Sequence, residues 1–91
     1  MSMIKRKKVY EAIDEERDYQ DSLIEKGKYE ITIKSTAEEI LMINFYALRA
    51  ADAWTVNYGD KPALDVVRKI AALCVRCMEN NGIVHREISP K

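Results

Sequence analysis

The sequence predicts an all-α protein of three helices packed as a bundle in a homo-oligomer, and three observations lead there. Apolar residues recur at helical spacing through most of the 91 residues. Glycine and proline number only three and two, and fall between or at the edges of the periodic stretches. A helix-start signature stands before the most apolar stretch. A lone chain of this size buries only roughly 60–65% of the surface exposed on unfolding, so a partner subunit would help to complete its core.

Helix one is expected over residues 4–26. Val9, Ala12, Ile13, Tyr19, Leu23 and Ile24 form a broad apolar stripe on a charge-dense segment, and Gly27 supplies a common stop. Residues 28–34 alternate, with Tyr29, Ile31 and Ile33 on one side and Glu30, Thr32 and Lys34 on the other, which predicts an extended arm. An isolated arm leaves its backbone donors unpaired, so pairing with another subunit or packing over the helices is expected.

Ser35 and Thr36 precede Glu38 and Glu39 with capping-box spacing, and helix two is expected over residues 36–56. It is apolar on nearly all sides. Ile40, Leu41, Ile43, Ala47, Leu48, Ala51 and Trp54 form one broad face, and Met42, Phe45, Ala53 and Val56 another. A helix of this kind is buried on more than one side, which predicts a subunit interface. It is interrupted by Asn44, Arg49 and Asp52 and is too short to span a bilayer.

After a turn at residues 57–60, Asp60 is expected to cap helix three over residues 61–81, with Pro62 in its first turn and Gly82 as its stop. Leu64, Val67, Ile70, Ala71, Cys74 and Met78 form the expected inward face; Asp65, Arg68, Lys69, Arg76 and Glu79 lie opposite. Residues 83–91 read as a flexible tail, and no repeat or second domain is expected within residues 1–91.

Charge narrows the function classes. Fifteen basic residues balance fifteen acidic ones, which removes the global electrostatic argument for DNA or an anionic membrane. No signal-like apolar run follows the basic start, so a cytoplasmic protein is expected. There is no Gly-rich phosphate loop, Gly-x-Ser-x-Gly elbow or His-Glu-x-x-His, and His85 stands alone.

Several residues interrupt the apolar pattern. A heptad on from Val9 lands on Glu16, four further on lands on Gln20, and Arg17 lies beside them. Polar groups at inward positions mark either an internal network or a ligand pocket. Asn44 between Ile40 and Leu48 poses the same question, with a register-fixing buried Asn as the structural reading. Arg68 and Arg76 bracket Ala72, with Lys69 beside them, giving a basic strip suited to phosphate or to solvent.

The acidic residues Glu11, Asp14, Glu15, Asp18, Asp21 and Glu25 could hold magnesium or pair with neighbouring cations. Cys74-Val-Arg-Cys77 has the spacing of a redox or zinc motif. It lies near a helix C-terminus, however, and reads as two small hydrophobes.

Two long stretches, from Val9 through Glu16-Arg17-Asp-Tyr-Gln20 to Asp21 and from Gly59 through Arg68-Lys-Ile-Ala-Ala-Leu-Cys-Val-Arg-Cys-Met78-Glu79 to Gly82, resemble the short MazG-like proteins common in phage genomes, as does Ala50-Ala-Asp-Ala-Trp54. That resemblance implies an all-α nucleotide pyrophosphohydrolase, in which carboxylates on successive helices hold magnesium against a triphosphate. The metal-binding motifs are degenerate here. Leu41 and Met42 stand three residues after Glu38 and Glu39, and Arg68-Lys-Ile-Ala71 occupies the matching part of helix three.

A cation at Arg68 repels a metal and attracts phosphate. The departure from the family's pattern therefore leads to the expectation of a non-catalytic protein, without a metal cofactor, that binds or sequesters a nucleotide or other phosphate-bearing ligand, in the host cytoplasm if the chain is phage-encoded like the proteins it resembles. Glu16, Arg17, Gln20, Asn44, Arg68, Lys69 and Arg76 are the candidate ligand-binding residues. The alternatives are an active magnesium-dependent pyrophosphohydrolase using Glu38 and Glu39, and an interaction module that inhibits a host protein.

Overall fold

A computed structural model describes residues 3–27, 34–56 and 59–87, and these form α1 (Arg6–Glu25), α2 (Thr36–Val56) and α3 (Asp60–Asn81). The all-α expectation holds, and the helix bounds fall within two residues of those read from periodicity. The expected arm lies outside the described residues except at Lys34, as do Asn57 and Tyr58 of the turn. Of the tail, residues 83–87 are exposed and non-helical, and the remainder lies outside the described residues.

Local chemistry sets the ends. The backbone N–H of Glu38 donates to Ser35 Oγ at 3.2 Å, while the Ser35 N–H donates to Glu38 Oε1 at 3.1 Å, closing the predicted capping box. These bonds, backbone first, hold the Glu38 carboxyl below its ordinary pKa. Gly27 takes φ +71° just past α1, where an L side chain is disfavoured, and its N–H donates to the carbonyl of Ile24 at 3.0 Å. At α3 the expected cap is corrected. Gly59 is the N-cap residue and makes no side-chain cap bond; Asp60 is already helical and accepts from Trp54 Nε1 at 3.2 Å.

α2 and α3 form an antiparallel hairpin pinned at both ends. Trp54 meets Asp60 near the turn, and Asn81 Nδ2 donates to the carbonyl of Lys34 at 3.2 Å at the open end. α1 packs on α3 and makes no contact with α2. α3 is thus the central helix, and this explains why its inward face differs from the expected one. Two neighbours cover it along two lines that converge on Ala72 and Leu73, both buried, while Leu64, Val67 and Met78 stay exposed.

The stripe of α1 holds at Ala12, Ile13, Leu23 and Ile24, which are half-buried, and is corrected elsewhere. Val9 and Tyr19 are exposed, and the buried positions are Glu16 and Arg17, flanked by half-buried Ile13, Gln20, Leu23 and Ile24 at helical spacing. On α2 the buried residue is Glu39, with half-buried Met42, Ile43, Tyr46, Ala50 and Ala53 on the same side. The opposite side, including Ile40, Leu41, Phe45 and Leu48, is exposed. No helix among the described residues is long and apolar enough to cross a membrane.

Candidate functional site

The buried charges of this protein lie at the seams between helices, because the sides of α3 that meet α1 and α2 carry Arg68, Arg76 and Glu79. At the first seam, Arg68 Nε donates to Glu16 Oε1 at 2.8 Å and its Nη2 donates to Asp65 Oδ1 at 2.6 Å. Lys69 Nζ lies 3.4 Å from Asp65 Oδ2. The bonds to Glu16 and then Asp65 raise the pKa of the guanidinium, and the bond from Arg68 holds Asp65 below the usual carboxylate range.

Further along α1, Arg17 Nε donates to Glu79 Oε1 at 2.7 Å, Nη1 to Gln20 Oε1 at 3.2 Å, and Nη2 lies 3.1 Å from Asp21 Oδ1. Burial works against the charge of Arg17, but the bond to Glu79 and the charges of Asp21 and Glu79 outweigh it and raise its pKa. The interruption of the α1 stripe is therefore an internal network between α1 and α3. Geometry alone could decide this, because Glu79 lies 62 residues away in sequence.

The third cluster joins α2 to α3. Arg76 Nη2 donates to Glu39 Oε2 at 2.9 Å and approaches Met42 Sδ at 3.3 Å. Glu39 is only 1% exposed, yet its Oε1 and Arg76 Nε have no partner in the structure. Those two atoms are the acceptor and the donor that a bidentate guanidinium–carboxylate fork would join.

The candidate residues thus divide between faces. Glu16, Arg68 and Lys69 come together, Arg17 and Gln20 meet Glu79, and Arg76 binds Glu39. Asn44 does not join them, since it is exposed on the side of α2 opposite Glu39 and α1 does not reach α2. Glu38 and Glu39, the alternative metal ligands, diverge: one turns back to Ser35 and the other enters the seam at Arg76. Among the described residues, no group of three His, Cys, Asp or Glu side chains stands close enough to hold a metal ion.

Cys74 and Cys77 are free, half-buried thiols. Burial, then the neighbouring Cys77, pushes the Cys74 thiol up in pKa, away from the thiolate that redox exchange requires.

One open cleft of about 590 Å³ adjoins the Arg68 cluster, lined by Ala12, Lys61, Pro62, Leu64, Asp65 and Arg68. Ala12 supplies an α1 wall, while the first turns of α3 supply an apolar ledge, one acid and two cations. Lys61, a lone cation between the expected cap and Pro62, is the lining residue that the sequence pattern did not single out. The spacing of Asp65, Arg68 and Lys69 at i, i+3 and i+4 was a legible signal for their mutual pairing.

No family model, curated protein or solved structure matches the chain.

Proposed function

We propose that the chain is a non-catalytic helical protein whose α1–α3 cleft binds a phosphate-bearing small molecule. The observation that carries this reading is that two cations, Lys61 and Arg68, line one open cleft together with apolar Pro62 and Leu64. Arg68 uses two of its N–H donors on Glu16 and Asp65, which fix the guanidinium and leave the others for a ligand. Among the residues lining the cleft, Lys61 and Arg68 are cations and Asp65 is the one acid.

The start of α3 adds to this. Lys61 and Pro62 sit at its N-terminal turn, where the helix dipole favours an anion. The resemblance of the sequence to MazG-like proteins supports a nucleotide as the ligand class. The degenerate carboxylate pattern favours capture over hydrolysis.

The test is thermal stability in the presence of linear and cyclic nucleotides, with and without magnesium. A ligand that binds only the folded state at a hundred times its Kd adds about 2.7 kcal/mol. Stabilisation without magnesium, lost in Lys61→Glu, supports the reading. Lys61 is exposed and makes no ion pair among the described residues, so its replacement should leave the free protein's melting temperature nearly unchanged. Stabilisation only with magnesium would favour the pyrophosphohydrolase reading, and no stabilisation in either condition overturns ligand capture.

A further inference from the structure

We infer that the outer face of α2 docks a second copy of this chain, antiparallel and about a twofold axis through Leu48, with Asn44 of each subunit opposite Asp52 of the partner subunit. The surface area leaves room for a partner. The chain exposes 8032 Å², whereas a typical folded monomer of 10.5 kDa exposes about 5,400 Å². Its radius of gyration is 15.3 Å, against about 12 Å for a compact chain of this length. The excess area of about 2,600 Å² is more than one partner contributes to a standard interface, about 800 Å². Among the described residues, the only buried hydrophobic side chains are Ala72 and Leu73.

The uncovered apolar surface concentrates on α2. Leu41 is 69% exposed and Leu48 65%, and Ile40 and Phe45 accompany them on the side turned away from α3. Leu41, Asn44, Leu48, Ala51 and Thr55 recur at alternating spacings of three and four, the seam of a paired helix. An apolar patch of this extent on a single helix marks an interaction site.

The polar residues on that face identify the occupant. Asn44 and Asp52 stand four positions on either side of Leu48. A twofold axis at Leu48 with antiparallel helices therefore sets Asn44 against Asp52 of the partner subunit, twice. An amide donor facing a carboxylate acceptor satisfies both groups at a desolvated seam. In the same register Phe45 meets Ala51 of the partner subunit, large against small, and Leu41 meets Thr55 of the partner subunit. The surface is self-complementary, as an isologous interface must be.

The experiment is sedimentation equilibrium of the wild-type chain together with Leu48→Glu, Asn44→Asp and the double variant Asn44→Asp/Asp52→Asn. A wild-type dimer or higher even assembly, reduced to monomer or unfolded chain by Leu48→Glu, is the expected result. Asn44→Asp opposes two carboxylates and should weaken association at least tenfold. Adding Asp52→Asn restores an amide–carboxylate pair and should return most of that loss, a rescue that a merely structural role for Asn44 would not produce. A monomeric wild type at every concentration, assembly unaffected by Leu48→Glu, or no rescue in the double variant overturns the proposal. In the first case the face would be left for a different protein.

Discussion

Arg68 on α3 donates from Nε to Glu16 on α1 at 2.8 Å, and the carboxylate it meets is buried while the guanidinium is partly open to solvent. This asymmetry makes the two ends of the pair unequal. Removing Arg68 strands a buried carboxylate, whereas removing Glu16 leaves a cation that Asp65 and water still satisfy.

Arg68→Ala should therefore destabilise the fold by about 1–3 kcal/mol, and Glu16→Ala by less. The double variant Glu16→Leu/Arg68→Leu should recover most of the loss, because replacing an ion pair with apolar groups of similar size is often neutral. Urea denaturation at fixed protein concentration measures all three. A larger loss in Glu16→Ala than in Arg68→Ala would contradict the asymmetry.

The Glu39–Arg76 pair sits deeper, and breaking it costs more. Arg76→Ala leaves Glu39 buried without a counter-charge, and a loss of about 3–5 kcal/mol is expected. Glu39→Ala, which leaves the partly exposed Arg76, should cost less. Comparison of the two denaturation midpoints decides it.

Capping should be measurable separately. Ser35→Ala removes the side-chain acceptor of the Glu38 N–H and should cost about 0.5–2 kcal/mol. Helix content by circular dichroism should fall only at the N-terminal turn of α2, so the melting temperature is the more sensitive measure.

Acid should weaken the fold with a defined sign. Asp65 and Glu38 are held below their ordinary values of 3.8 and 4.5, so both bind protons more readily in the unfolded chain. Their contribution is fully present above those values and is lost as the pH falls through the lower, folded-state ones. Melting temperature against pH should therefore drop on the acid side of about 4. Asp65→Asn should flatten that drop, and an unchanged profile would show that the Asp65–Arg68 bond contributes nothing.

Periodicity and punctuation were sufficient for the helices. The apolar repeats, the Ser35–Glu38 box and the glycines at positions 27 and 82 act through local backbone energetics, which any surrounding structure must respect. The sequence by itself also exposed the anomalies: Glu16, Arg17 and Gln20 interrupting a stripe, and Asn44 within an apolar helix. Only the tertiary structure decided what those residues meet. Arg17 finds Glu79 and Glu16 finds Arg68 because α1 crosses α3, and Asn44 meets neither because α1 never reaches α2. Pairing between distant charges depends on the angle and order in which helices pack, and those follow from the whole set of contacts, beyond the reach of local spacing.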